Sequence, residues 1–309
     1  MNILFSHANF PAQFRRLAPH LAARGHRVAF LCQQKEWHAP AMQGVQLVPY
    51  RVTRSSAAEA IHPYLERVEN PVLSGQAAFR AALNLRREHS FEADVIVSHA
   101  GFGSGLYLKD AFPEARRIGL FEWYYTSHSG DVAFLYNGAV PDDRRLRLRS
   151  WNMPILLELA QCDAAVVPTA FQRQQFPEPL QPLLHQLHEG VDVQQLSGLR
   201  QVPPPKPSWW PQDPDAEIVT YVSRGFELYR GFPQAMQALA LLQQRRPHCH
   251  VLIAGEDVVC YGGHCPHGTS WGAWARSQAG LDPRRTHWLG ALQSDSYHAL
   301  LAYTQAHLY

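Results

Sequence analysis

Residues 1–32, MNILFSHANFPAQFRRLAPHLAARGHRVAFLC, contain the pattern that decides the fold. A short apolar run at 2–5 is followed by apolar residues at helical spacing, and Gly25 stands where a helix would end. A second apolar run, 26–32, predicts a buried strand. Short apolar strands that alternate with amphipathic helices are typical of a parallel sheet covered by helices on both faces. The opening therefore predicts an α/β fold.

The same alternation continues along the chain and predicts two domains. The Pro-dense stretch VPPPKPSWWPQDP cannot form helix or inner strand, so 201–215 is predicted to be a linker. It separates a first domain, 1–200, from a second domain, 216–309, and within the first domain 124–150 is predicted to be a loop with a solvated helix. A doubly wound domain needs on the order of 100–150 residues. The second domain is therefore expected to be incomplete.

Composition excludes several classes of protein. The formal net charge of +2 gives no electrostatic case for nucleic-acid binding. No apolar run reaches the ~18 residues of a membrane span, and the N-terminus lacks the pattern of a signal peptide. The five widely spread cysteines suit a reducing cytoplasm rather than a disulfide framework. A cytoplasmic location is expected, and the scattered aromatic and basic residues of the first domain permit peripheral contact with the inner membrane face.

The strongest candidate site is YVSRGFELYRGF, residues 221–232. A strand ends there and a helix is predicted to begin near Gly231, so free backbone N–H groups and the helix dipole favour an anion. Arg224 and Arg230 lie on the same loop and would bind a diphosphate through charge-assisted bonds. On the residues alone, two arginines on the surface of an ordinary loop remain the alternative.

With the other motifs, this segment resembles glycosyltransferase family 4. In that family an Arg and a following Lys-Gly or Arg-Gly grip the diphosphate of a nucleotide-sugar donor, which here implies Arg224, Arg230 and Gly231. The opening segment, HEGVDVQQL (188–196), VLIAGED (251–257) and the stretch 287–309 are similar to further family segments in the same order. Gly255 and Glu256 match the loop on the donor side.

The resemblance implies a GT-B fold, which consists of two Rossmann-like domains. It implies sugar transfer from a nucleoside-diphosphate sugar, with retention at the anomeric carbon and with neither a cofactor nor a metal. The acceptor is left open among sugars, lipid-linked molecules and polysaccharides. Family members continue into a segment with two glutamates eight positions apart, which this sequence lacks, so C-terminal truncation is expected. A non-catalytic remnant and a protein like the nucleotide-sugar 2-epimerases remain as alternatives.

Acceptor residues are expected at the strand ends of the first domain. The first loop contributes Asn9, Phe10 and Gln13. His99 follows the predicted central strand, and Glu122 occupies the position where many family members have a sugar-contacting histidine. These two residues are the catalytic candidates. A structural histidine that caps a loop and a solvated acid are the competing interpretations, and the aromatics at 123–125 would either stack on a sugar or fill the core.

Two other motifs favour different chemistry. HAGFGSG (99–105) followed by Glu122 imitates a dinucleotide fingerprint, but Leu106 stands at its third glycine position and the motif is not on the first strand. CYGGHCPHG contains the soft ligands of a metal site, in a spacing that matches no standard zinc pattern; these are Cys260, His264, Cys265 and His267. Neither a dinucleotide nor a metal is therefore predicted.

Overall fold

The computed structural model describes residues 1–33, 42–53, 61–266 and 268–309. The chain divides into two compact units, Met1–Gly190 and Val191–Tyr309. Each unit is built on its own parallel sheet, and every strand pair in both sheets is parallel. The predicted α/β fold is confirmed.

The first unit alternates strands with helices and contains a seven-stranded sheet. Its elements are β1 Asn2–Ser6, α1 Leu17–Ala23, β2 Arg27–Gln33, β3 Val45–Tyr50, α2 Glu66–His89, β4 Val95–His99, α3 Leu108–Ala111, β5 Arg116–Leu120, α4 Gly130–Tyr136, α5 Asp142–Ser150, α6 Met153–Ala160, β6 Ala164–Val167, α7 Ala170–Gln174 and β7 Leu184–Gln186. The strand order is β3-β2-β1-β4-β5-β6-β7, so the order reverses between β1 and β4.

Both faces of this sheet are buried, which explains its nearly continuous apolar strands. Leu4 packs in one hydrophobic cluster with Leu85 of α2. Its neighbours Ile3 and Phe5 point to the other face and pack in a second cluster with Ala18 of α1. Burial of each large apolar side chain, such as Leu4 or Phe5, stabilises the fold by about 1.5–3 kcal/mol.

The second unit repeats the arrangement with a four-stranded sheet in the order β10-β9-β8-β11. Its elements are α8 Val193–Gln201, β8 Glu217–Gly225, α9 Phe232–Arg245, β9 Cys249–Glu256, α10 Trp271–Gln278, β10 Thr286–Gly290, α11 Ser294–Tyr303 and β11 Ala306–Leu308. Here the strand order reverses between β8 and β11. α9 and α10 pack on one face, where Met236 and Trp274 join the core, and Leu300 of α11 packs on the other face.

The segment 191–215 differs from the predicted organisation. The residues 191–200, predicted to end the first domain, lie in the second unit. The Pro-dense stretch is anchored to that unit, because Trp210 is only 5% exposed and packs with Ile218 and Leu300. The hydroxyl of Tyr303 also donates a hydrogen bond to the Pro204 carbonyl at 2.7 Å. Two aromatic residues in a row mark this segment as part of a core rather than as a free linker.

The segment 124–150 also differs from its prediction. It forms two helices, α4 and α5, rather than a loop with one solvated helix. Leu148 and Trp151 are buried together with Val132 in a small cluster of their own. The basic residues of α5 conceal this apolar face in the sequence, because only every third or fourth residue of a helix lies on one side.

Candidate active site

A polar cluster lies at the carboxyl ends of β1, β4 and β5 in the first unit. His99 is the last residue of β4, and its Nε2 atom lies 3.2 Å from Oε2 of Glu122, just beyond β5. Gln13 donates a hydrogen bond from Nε2 to Oε1 of the same carboxylate at 2.8 Å. β1 and β4 are neighbours at the reversal of strand order, which is where open α/β sheets bind ligands. The fold therefore brings three of the predicted residues together.

The carboxylate of Glu122 is held in contact with the ring of His99. Nδ1 of His99 lies 2.9 Å from the Ala100 carbonyl oxygen, which only accepts, so Nδ1 carries a proton. Its Nε2 atom faces the carboxylate oxygen 3.2 Å away. Burial raises the pKa of Glu122, but contact with His99 and its positive charge, with the hydrogen bond from Gln13, leave the pKa lowered overall.

His7 belongs to the same cluster, although sequence reasoning missed it. It follows β1 directly, and its side chain is buried. Its ring centroid lies 4.9 Å from that of His99 and 4.9 Å from that of Phe102. The Asn9 amide donates to Nδ1 of His7 at 2.8 Å, so the proton of a neutral ring is on Nε2. A polar residue at the end of the first strand was the signal that could have identified it.

Phe102 places an aromatic surface beside these polar groups. It is 42% exposed, whereas His7 and His99 against it are buried. An exposed ring next to hydrogen-bonding groups suits the apolar face of a sugar. Among the aromatics at 123–125, Tyr124 and Tyr125 instead pack against a core cluster, and Trp123 lies 5.9 Å from the ring of Phe171.

The glycine-rich loop 99–105 is explained by packing. Arg117 and Glu158 form a fully buried ion pair, with Nη2 and Oε2 2.7 Å apart, beneath this loop. The Gly101 amide donates to Oε1 of Glu158 at 3.1 Å. A Cβ on Gly105 would lie 2.6 Å from Oε2 of Glu158, and a Cβ on Gly103 would lie 2.0 Å from the Pro71 carbonyl oxygen. The glycines therefore permit close packing under the loop that begins at His99.

The buried ion pair is a positioning device for this loop. Burial raises the pKa of Glu158, and the opposing charge of Arg117 lowers it only in part. Arg117 also donates from Nη1 to Oε1 of Gln161 at 2.7 Å. Buried charges that are removed from water require such partners. Sequence reasoning missed this pair because its members lie 41 residues apart.

The first loop divides into core and surface residues. Phe10 is only 7% exposed and packs on Phe30 with ring centroids 4.9 Å apart, so it fills the core rather than facing the cleft. Asn9 and Gln13 are half-buried beside the polar cluster. An aromatic residue in an otherwise polar loop was already a sign of packing.

In the second unit, Arg230 lies on the loop between β8 and α9. Its Nη1 donates to the Tyr309 hydroxyl at 3.0 Å, and its guanidinium lies 5.6 Å from the centroid of the Tyr261 ring. Tyr309 follows β11, so this contact spans the reversal of strand order. Gly231, with φ +60°, precedes the first turn of α9 and provides the left-handed turn there. Arg224 lies near the end of β8 with an exposed side chain.

Glu227 lies between the two arginines in sequence and is fully buried. Its Oε2 accepts hydrogen bonds from three backbone amides, those of Cys260, Tyr261 and Gly262, at 2.9, 2.8 and 3.3 Å. Its Oε1 lies 4.0 Å from Nε of Arg230. This carboxylate joins the loop after β8 to the loop after β9 and lies beside the candidate phosphate ligand. An acid between two arginines was a signal that sequence reasoning did not use.

Gly255 and Glu256 end β9 beside this loop. A Cβ on Gly255 would lie 2.0 Å from the Ser223 carbonyl oxygen, and its φ is +138°, so only glycine fits this close approach of β8 and β9. The side chain of Glu256 is exposed. Their role on the donor side stays a prediction.

The soft ligands 260–267 do not assemble in the described part of the chain. Cys265 is buried in the main hydrophobic cluster of the second unit. Cys260, His264 and Cys265 are absent from any metal-compatible group of three found among the described residues. His267 lies outside the described residues. Within that same described portion, no helix has both the length and the apolar character that a membrane crossing requires.

Comparison with known structures defines the class of the fold. The chain resembles the calicheamicin glycosyltransferase CalG4 (TM-score 0.50, 19% identity, 99% of this chain and 74% of that one). It also resembles an E. coli structure described as trehalose-6-phosphate bound with UDP-2-fluoro glucose (TM-score 0.57, 10% identity, 99% of this chain and 77% of that one). A third similar structure is a UDP-N-acetylglucosamine 2-epimerase (TM-score 0.52, 9% identity, 99% of this chain and 73% of that one). These similarities establish the GT-B glycosyltransferase fold that the sequence predicted.

The family is established by sequence. The model of the glycosyl transferase family 4 group matches residues 24–196, which is more than half of the chain. The protein belongs to this family, and family and fold together support a transferase. No curated protein matches the chain in sequence.

Proposed function

We propose that this protein transfers a sugar from a nucleoside-diphosphate donor to an acceptor hydroxyl, with retention at the anomeric carbon. The observation that carries the proposal is the setting of Arg230 beside the N-terminus of α9. Its guanidinium is held by Tyr309, Tyr261 and Glu227. The Phe232 amide donates to the Glu227 carbonyl at 3.3 Å and Pro233 has no N–H, so the preorganised cation and the helix dipole, rather than a set of free amides, favour a diphosphate here.

The donor diphosphate would bind the second unit. Arg224 and Arg230 neutralise the charge that develops on the leaving diphosphate, so the step needs no metal ion. The CalG4 and E. coli neighbours are consistent with this assignment, since one is a glycosyltransferase and the other holds a UDP-sugar analogue.

The acceptor hydroxyl attacks the anomeric carbon as the bond to the diphosphate oxygen breaks, and a phosphate oxygen takes the hydroxyl proton. This proton path requires no protein base. The cluster of His99 and Glu122 would bind sugar hydroxyls, and the Glu122 carboxylate would accept hydrogen bonds from them. Phe102 would contact the apolar face of the sugar.

Binding of UDP and GDP to single variants tests the donor site. Arg230→Ala is expected to weaken the binding of the correct nucleotide by ~10–100-fold, since a hydrogen bond to a charged group contributes about 1.5–3 kcal/mol. Arg224→Ala is expected to weaken it similarly and, where the chain is active, to lower turnover by ~10²-fold. The matched control is Arg245→Ala, at the exposed C-terminal end of the same helix. Equal affinity of Arg230→Ala and Arg245→Ala would contradict the proposal.

A 2-epimerase reaction is the second candidate, and it is favoured by the epimerase among the structural neighbours. Incubation of the protein with UDP-N-acetylglucosamine, without acceptor, separates the two by analysis of the sugar products. A new 2-epimer would support the epimerase and overturn the transferase proposal. Transfer to an added acceptor supports the transferase, and nucleotide binding without any turnover supports a non-catalytic protein.

A further inference from the structure

A second cluster of ligand-type side chains lies at the opposite edge of the second sheet. Asp213 and Asp215 precede β8, His248 directly precedes β9, and His250 is the second residue of β9. β8 and β9 are parallel, so their amino ends lie at the edge away from Arg224 and Arg230. The cluster is therefore separate from the proposed donor site. Sequence spacing does not reveal it, because the aspartates and the histidines come from distant parts of the chain.

We propose that Asp213, Asp215, His248 and His250 bind a divalent metal ion of the zinc class. Ligand atoms of Asp213, Asp215 and His248 all lie within 4.8 Å of one another. Oδ2 of Asp213 lies 3.6 Å from Nδ1 of His248 and 3.4 Å from Nε2 of His250. Nitrogen and carboxylate ligands at about 2.0–2.1 Å from a tetrahedral zinc ion lie about 3.4 Å from each other. The observed spacings match two edges of such a tetrahedron.

The two histidines are spaced for a common ligand. His248 lies in the turn before β9 and His250 lies in the strand, yet both rings face Oδ2 of Asp213, while Cys249 between them is buried in the core. The side chain of His250 is 11% exposed, and that of His248 is 58% exposed. One ligand is therefore held by the protein core, and the other remains accessible to an incoming ion.

His287 of β10 orients the buried histidine. Its Nε2 lies 3.0 Å from Nδ1 of His250, and the two rings stack with centroids 5.4 Å apart. Histidines that bind metals commonly donate their other ring N–H to a neighbouring acceptor, which fixes the tautomer. When His250 donates from Nδ1 to His287, its Nε2 lone pair is directed at the site. His287 is thus a positioning residue, not a ligand.

The metal would tie the start of the second sheet together. Asp213 and Asp215 end the Pro-dense segment, and the Asp215 amide donates to Oδ1 of Asp213 at 3.0 Å. A metal that joins these aspartates to β9 would hold the segment against the sheet. Because only the folded chain presents all four ligands, saturating zinc is expected to raise the Tm by on the order of 5 °C.

Zinc binding to the metal-free full chain tests the site by competition with a chelator of known affinity. Asp213→Asn and His250→Asn are expected to weaken binding by ~100-fold or more, and His287→Phe by ~10-fold. The control is His128→Asn, which removes an exposed histidine from the first unit and should leave the affinity unchanged. Circular dichroism verifies that each variant is folded.

Cobalt provides a readout of geometry. Co²⁺ bound to wild type is expected to show the intense visible absorption of a tetrahedral site, and His250→Asn is expected to lose it. An affinity that is equal in wild type and Asp213→Asn would overturn the proposal, as would a cobalt spectrum that persists in His250→Asn. UDP affinity should not depend on zinc, so failure of this proposal is distinguishable from failure of the donor site.

Discussion

Glu227 offers the sharpest test of how the second unit is built. Glu227→Gln keeps the size and one oxygen of the side chain but removes its charge. The three amide hydrogen bonds to Oε2 then become bonds between neutral groups. A bond to a charged acceptor contributes about 1.5–3 kcal/mol, against about 0.5–1.5 kcal/mol for a neutral one.

The magnitude follows from these contacts. Two of the three bonds are short, at 2.8 and 2.9 Å, and the third is 3.3 Å long. A loss of about 1 kcal/mol from each short bond predicts that Glu227→Gln lowers the free energy of unfolding by about 2 kcal/mol. Glu227→Ala leaves the partly buried amides of Cys260 and Tyr261 without this acceptor, so we expect a loss of about 2–4 kcal/mol.

Denaturant unfolding and amide hydrogen exchange measure the effect. Exchange at 260–262 should accelerate in Glu227→Gln more than exchange in the core of β9. The matched control is Glu256→Gln, an exposed glutamate on the neighbouring strand end, which should change stability by less than about 0.5 kcal/mol. If Glu227→Gln were as stable as this control, with unchanged exchange at 260–262, the charge of Glu227 would have no structural role.

Two further predictions concern the first unit. Gly103→Ala should lower the free energy of unfolding by about 2–4 kcal/mol, because its Cβ would meet the Pro71 carbonyl oxygen at 2.0 Å. The control Gly138→Ala has a similar φ of +79° but open space around the Cβ, so it should lower the free energy of unfolding by only about 1–2 kcal/mol. Equal losses in thermal unfolding would show that φ alone matters. The pKa of Glu122 is lower in the folded chain than its unfolded value near 4.5. The ionised carboxylate therefore stabilises the fold at pH values above 4.5, and this stabilisation is lost as the pH falls through the folded pKa. Wild type should therefore exceed Glu122→Gln in stability at pH 7 and lose that advantage in acid, and a difference independent of pH would contradict the lowered pKa.

Local patterns were enough to predict most of the first sheet. β1, β2 and β4 are apolar on both faces, and helices on either side bury them, so the chain itself contains the signal of a parallel sheet. The strand β7 and the helices α7, α8 and α10 were not predicted. They are short, so each offers too few residues for a periodic apolar pattern to show, and α7 has no buried residue at all.

The candidate sites were only partly predictable. Gln13, His99 and Glu122 were found because each follows a strand, and parallel strands bring such residues to one edge. Glu227 and His7 follow strands too, so their positions carried a local signal, but their partners lie on other loops and only the folded chain shows what they contact.

The sequence by itself determined the α/β class, the family resemblance and the candidate phosphate loop, because these depend on periodicity and on short motifs. The tertiary structure alone decided that Arg117 and Glu158 support the glycine loop, that Phe10 belongs to the core, and that Asp213 approaches His250. Each of these contacts joins residues far apart in sequence. Their energies depend on burial and on distances of a few ångströms, which exist only once the chain has folded.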